Sequence, residues 1–211
     1  MDTKIGTIAA LTFISLLMVS SSCNKNWNCT EVIYNFECRL QIYPDDDSIK
    51  INDTIWLDMN VPKKLKDYIS GEEIDYSQAE NFGSAIRFVE LIDGTIPELG
   101  VKPAVDSFEF KLAIGQQIPS ILPKQVNQYI FQELQNTYNF KLGIIAKKKG
   151  IYGIGIGNAA NVFRRNDKCT KANFSIKLIN TNNHIYYLEQ SRPGYVPSAL
   201  EISNTYYFKV K

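Results

Sequence analysis

The sequence predicts an all-β fold, an antiparallel β-sandwich of immunoglobulin-like type with one or more short helical turns. Two observations predict it. Apolar and polar residues alternate with a period of two through nine segments after residue 31. Clusters rich in Pro, Gly, Asp and Asn separate those segments at short intervals. Nine half-buried strands need two layers to cover their apolar faces. With 45% hydrophobic and 21% charged residues over 211 positions, a core is available without a metal or a disulfide framework.

The first element lies outside the sandwich. Lys4 precedes a weakly polar to apolar run from Ile5 to Val19, followed by Ser20, Ser21 and Ser22. A charged start, an apolar stretch and a small-residue zone make residues 1–22 a signal peptide. The run is shorter than the roughly 20 residues a spanning helix needs, and polar Asn24, Lys25 and Asn26 follow it. Cys23, placed directly after the serines, resembles the lipobox of bacterial lipoproteins, with Ser20 where leucine is usual. The resemblance implies cleavage before Cys23, lipidation of Cys23, and a lipidated tether over residues 23–30 on a cell-envelope, outer-membrane lipoprotein. No Asp or Glu follows Cys23 directly, so the periplasmic and surface faces both stay open.

The domain over residues 31–211 begins with Val32, Tyr34, Phe36, Cys38, Leu40 and Ile42 on one strand face. Pro44-Asp45-Asp46-Asp47-Ser48 is a turn that makes a hairpin or a corner. Ile49, Ile51, Ile55, Leu57 and Met59 give the second strand its apolar face. Further strands are expected over Ser84–Ile92, Val105–Ile114, Tyr138–Ala146, Gly150–Gly157, Ala172–Ile179, His184–Gln190 and Thr205–Val210. Lys147-Lys148-Lys149-Gly150 reads as a hairpin tip rather than a basic patch. Lys124–Asn136 fits a short helix as well as a strand, and Ser77–Phe82 and Ala159–Arg165 read as helical turns. Pro119 and Pro123 leave two arrangements: one sandwich, which is favoured, or two subdomains meeting near residue 118.

Cys29, Cys38 and Cys169 remain once Cys23 is taken by lipid, enough for one bridge. Cys38 points to the apolar face, so Cys29 with Cys169 is the candidate disulfide. No CxxC pair exists and His184 is the only histidine, so no metal site and no cofactor are expected. Gly153, Gly155 and Gly157 imitate a phosphate loop but lack an acidic residue at the required distance; they read as a bare strand face for an aromatic ring. Asp45, Asp46 and Asp47 miss the EF-hand pattern and read as a solvated turn. Glu72, Glu73 and Asp75 read as an exposed loop. A net charge of +1 excludes nucleic acid as a main partner.

Asn52-Asp53-Thr54-Ile55-Trp56-Leu57 and the terminal Tyr207-Phe208-Lys209-Val210, with the export signal, resemble uncharacterised Bacteroidota-type lipoproteins carrying immunoglobulin-like sandwiches. Only the architecture is implied. Trp56 falls by parity on the polar face of its strand, and Tyr187 and Tyr207 show the same parity, so these three rings are the candidate ligand-stacking residues. No catalytic residues are expected, since no nucleophile, base and orienter occur together. The expected function is a non-catalytic binding module for a glycan or an envelope protein, held at the membrane by its lipid. The alternative is a structural or assembly subunit of an envelope complex.

Overall fold

A computed structural model describes residues 29–92, 101–179 and 181–211. The chain divides into two compact units, Met1–Thr30, of which Cys29 and Thr30 are described, and Glu31–Lys211. The second unit is a sandwich of two sheets plus one hairpin.

The first sheet runs β11 (Gln132–Leu134), β12 (Thr137–Ala146), β3 (Thr54–Pro62), β1 (Val32–Tyr43), β15 (Asp167–Ile179), β14 (Ala159–Arg164), with β8 (Phe108–Ile114) also on β12. The second runs β2 (Ser48–Ile49), β16 (Thr205–Val210), β13 (Gly150–Ile156), β6 (Gly83–Leu91), β10 (Val126–Ile130), β9 (Gln116–Ile118), with β7 (Val101–Pro103) on β6. The hairpin is β4 (Lys64–Lys66) with β5 (Glu73–Asp75). Strands from before and after residue 118 share both sheets. Pairing is antiparallel except for β1 with β15 and β2 with β16. Among the described residues no helix is long and apolar enough to cross a membrane.

Period-two alternation delivers the core as expected. In β1, Phe36, Cys38 and Leu40 are fully buried while Glu37, Arg39 and Gln41 are exposed. Rings meet in the middle: Phe82, just before β6, stacks on Phe174 of β15 with centroids 4.0 Å apart, and Phe108 of β8 meets Tyr152 of β13 across the two sheets at 4.9 Å. Each such ring or aliphatic side chain contributes about 1.5–3 kcal/mol by leaving water, so one continuous core accounts for the cohesion of both sheets.

Three expectations need correction, and the open choice over Lys124–Asn136 falls to strand. Ile49 to Met59 is not one strand: Asn52 has a positive φ of 71°, and the Asp53 carboxylate accepts the Lys50 N–H at 2.8 Å. This Asx-type turn sends β2 to the second sheet and β3 to the first, leaving Ile51 exposed. Lys147-Lys148-Lys149 is not a hairpin tip, because β12 and β13 lie in different sheets and the lysines cross between them. Ala159–Arg164 is strand β14, and Lys124–Asn136 forms β10 and β11. In each, a neighbouring strand satisfies the backbone where local spacing favoured or allowed a helix.

β1 pairs with β3 only from Gln41 to Tyr43, so its earlier residues lack a strand on that side. Asp67 fills the gap. Its carboxylate accepts the Asn35 N–H at 2.6 Å and the Ser70 N–H at 2.7 Å, while Asn35 C=O accepts the Tyr68 N–H at 2.9 Å. Asp67 is 3% exposed. Burial raises its pKa, but the N–H groups of Ser70 and Asn35 outweigh burial and hold it below the usual carboxylate value. Nearby, the buried Tyr138 hydroxyl donates to Tyr76 C=O at 2.6 Å and accepts from the Ala79 N–H at 3.0 Å, tying the 76–79 turn to β12.

Candidate functional site

Alternation along β3 decides what the outer face of the first sheet displays. Ile55, Leu57 and Met59 enter the core, so Thr54, Trp56, Asp58 and Asn60 face outward. Register then sets the neighbours of Trp56: Tyr43 lies opposite on β1 and Gly143 opposite on β12. A Cβ at Gly143 would stand 3.0 Å from Trp56 Cη2 and Cζ3. The missing side chain is therefore what lets the indole lie across β12. Trp56 is half-buried, one side resting on the sheet.

Asp58 and Lys141 come next along the same face as register partners. Lys141 Nζ lies 3.0 Å from Asp58 Oδ2, and the Tyr43 hydroxyl donates to the same oxygen at 3.2 Å. The ammonium also sits 5.5 Å from the Trp56 ring centroid and 5.6 Å from that of Tyr43, within cation–π range of both. Contact with the Tyr43 hydroxyl first, and with Asp58 second, holds the Lys141 pKa above the ordinary lysine value. Lys141 is thus positively charged at any pH at which the protein is handled. The cluster offers an apolar ring face beside a donor, the Lys141 ammonium, and an acceptor, the Asp58 carboxylate.

Tyr187 and Tyr207 do not extend this surface, a correction to the three-ring platform. Tyr207 of β16 faces outward from the second sheet, not the first, and is 3% exposed. It packs over Gly153, where a Cβ would stand 2.8 Å from Tyr207 Cε1, so the glycine alternation in β13 serves packing. Tyr187 is not on a strand: α1 (Tyr186–Ser191) replaces the expected strand over His184–Gln190. Its buried residues, Tyr187, Leu188 and Ser191, fall at i, i+1 and i+4 on one helical face, a spacing hidden by the adjacent tyrosines. Tyr187, Leu188, Tyr207 and Leu91 form a second small hydrophobic cluster.

The acidic turn is not simply solvated, as expected from the sequence. Asp45 accepts from the Thr181 hydroxyl at 2.6 Å and the Asn182 N–H at 3.1 Å, and Asp47 accepts from the Tyr186 hydroxyl at 3.0 Å. It docks the segment leading into α1. Glu72 and Glu73 are exposed, with Asp75 bonded to Ser77. No group of His, Cys, Asp and Glu among the described residues is arranged to hold a metal. Cys29 and Cys169 are each disulfide-bonded, and Cys38 is a free, buried thiol whose pKa burial, aided by the Glu37 charge, pushes up to about 12. Cys23 and its lipidation lie outside the described residues. Sequence parity found Trp56; Tyr43, Lys141 and Gly143 were missed because only strand register brings them beside it.

No protein family model and no curated protein matches the sequence. Among solved structures, the chain is similar to a type II cohesin dyad from the adaptor ScaA scaffoldin of Acetivibrio cellulolyticus, with 10% identity over 67% of this chain and TM-score 0.30. It spans 46% of that dyad. A single type II cohesin domain from the cellulosome of the same organism matches at 10% identity, 66% of this chain, 91% of that one and TM-score 0.28. Type II cohesin A11 from Bacteroides cellulosolvens matches at 12%, 66%, 99% and 0.23. TM-scores this low fall short of a shared fold, so the sandwich assignment stands on the strands themselves.

Proposed function

We propose that the protein is an exported, lipid-anchored envelope component that works as a non-catalytic binding module, with the outer face of the first sheet as its binding surface and a glycan as its ligand. The observation that carries this reading is the indole of Trp56 laid across Gly143 beside the Lys141–Asp58–Tyr43 cluster. An outward aromatic face takes the apolar face of a pyranose, and a neighbouring ammonium and carboxylate hydrogen-bond its hydroxyls. Cys23 serves as the lipidated residue that fixes the sandwich to the membrane, with residues 24–30 as its tether. Cys29 and Cys169, both disulfide-bonded, pair with each other in this reading.

A protein ligand, with a role in envelope assembly, is the second reading. It is favoured by the exposed apolar residues Val196, Leu200 and Ile202.

The test is binding of the protein to an array of envelope and plant-type polysaccharides, with Trp56→Ala and Lys141→Ala beside the native chain. Retention of at least one polysaccharide, lost in Trp56→Ala and weakened in Lys141→Ala, supports the assignment. Retention unaffected by either substitution, or none at all, overturns it. Intact mass and detergent partitioning with and without Cys23→Ala test the anchor separately: the native protein gains acyl mass and enters detergent, and the variant does neither.

A further inference from the structure

The second sheet carries a cleft unrelated to the Trp56 face. Its floor is the outer surface of β6 and β16, and its cover is the segment from α1 to α2 (Ala199–Asn204). The cavity is about 210 Å³, the liquid volume of about seven waters. Val89, Leu91, Val101 and Leu188 make one wall apolar; Arg87, Arg192, Tyr195, Glu201 and Tyr207 supply the polar lining.

Some of these polar groups have partners and some do not. Arg87 is held at the rim by Gln125, whose side-chain oxygen, turned toward it, accepts from Nε at 2.8 Å and Nη2 at 2.9 Å. Glu201 is committed: its Oε2 accepts from the Tyr195 hydroxyl at 2.6 Å and from the Ser198 N–H at 3.3 Å, closing the capping box of α2. Arg192 is left over. Its guanidinium stacks on Tyr195 at 5.1 Å, yet its Nε is buried without a hydrogen-bond partner. Nε itself is sealed from the cleft, but the terminal nitrogens have no ion pair or hydrogen bond among the described residues, and a planar carboxylate is the group that pairs with them. The Tyr207 ring, fixed over Gly153, borders the same space, and burial raises its hydroxyl pKa, so it stays a neutral donor.

We infer that this cleft binds a small organic monocarboxylate with an apolar body, its carboxylate on Arg192 and its body against Val89, Leu91 and Val101. The lining carries two guanidinium groups, Arg87 and Arg192, against the Glu201 carboxylate, a net charge of +1 that matches one negative charge better than a dianion such as phosphate. The apolar wall selects for a hydrocarbon portion.

Titration calorimetry of the intact protein with benzoate, its neutral isostere benzamide and inorganic phosphate tests the inference. Benzoate is expected to bind with a Kd at or below about 1 mM, with benzamide and phosphate silent. Arg192→Gln is expected to weaken benzoate by about tenfold or more, as for loss of a charge-assisted pair. Trp56→Ala, on the other sheet, is expected to leave it unchanged, which separates this site from the proposed glycan surface. Should Arg192→Gln fail to fold, Tyr207→Phe, which keeps the packed ring, decides by a severalfold loss. No benzoate binding, equal binding of benzamide, phosphate binding in its place, or benzoate binding indifferent to the deciding substitution overturns the assignment.

Discussion

Replacing Asp67 by Asn removes one charge and keeps the shape, so its effect can be worked out from the bonds around it. The native carboxylate accepts two backbone N–H groups, from Asn35 at 2.6 Å and Ser70 at 2.7 Å. An amide at this place accepts one of them through its oxygen and turns its NH2 toward the other, donor against donor. One charge-assisted bond of about 1.5–3 kcal/mol is lost and the second falls to neutral strength, about 3 kcal/mol together. With Asp67 3% exposed, water does little to compensate. For a urea slope of about 2–3 kcal/mol per M, the midpoint falls by about 1 M. The pH dependence has a definite sign. The Asp67 pKa is lowered by folding, so its contribution is complete above the unfolded value of about 3.9 and is lost as pH falls through the folded one. The stability gap between Asp67→Asn and the native protein is therefore widest at pH 7 and narrows below pH 4. Urea unfolding followed by circular dichroism from pH 7 to pH 3 measures it. A gap under about 0.5 kcal/mol at pH 7, the range of an ordinary surface substitution, or one unchanged at pH 3, refutes the reasoning that Asp67 replaces the missing strand beside β1.

Gly143→Val is expected to lift the indole of Trp56 from β12, shifting its fluorescence in a Trp27→Phe background and abolishing any binding that depends on Trp56; an unchanged spectrum contradicts the packing described. Cys38 is expected to resist alkylation by iodoacetamide at pH 8 in the folded protein and to react once unfolded in urea, because its pKa of about 12 and full burial leave almost no accessible thiolate. Tyr138→Phe removes the buried hydroxyl between Tyr76 C=O and the Ala79 N–H and is expected to cost about 1–3 kcal/mol by thermal or urea unfolding. Non-reducing peptide mapping is expected to find Cys29 and Cys169 in one linked species.

The layered β architecture was legible because alternation in segments such as Phe36-Cys38-Leu40 and Ile55-Leu57-Met59 depends on neighbours two residues away. What escaped depends on distant partners. Nothing local in Lys141 or Tyr43 announces Trp56, since adjacency across a sheet comes from register. The helix at Tyr186–Ser191 was missed because Tyr186-Tyr187 reads as strand composition while the burial that fixes the helical face is supplied by Tyr207 and Leu91. The cleft beside Arg192 exists only because that helix folds back over β16, so no motif could have pointed to it.

The parallel ladder of β1 with β15 carries a consequence for how the chain comes together. Asn35 and Asn173, joined across it, are 138 residues apart. During synthesis β1 emerges early and waits for nearly the whole sandwich before its longest partner exists, and contacts so remote in sequence form slowly. Until then the strand has exposed hydrogen-bonding edges and an apolar face of Phe36, Cys38 and Leu40. Its outward Glu37 and Arg39 are the charges that keep a waiting strand from pairing with another chain. The same two residues that look like ordinary surface in the finished protein are guards on an unfinished one.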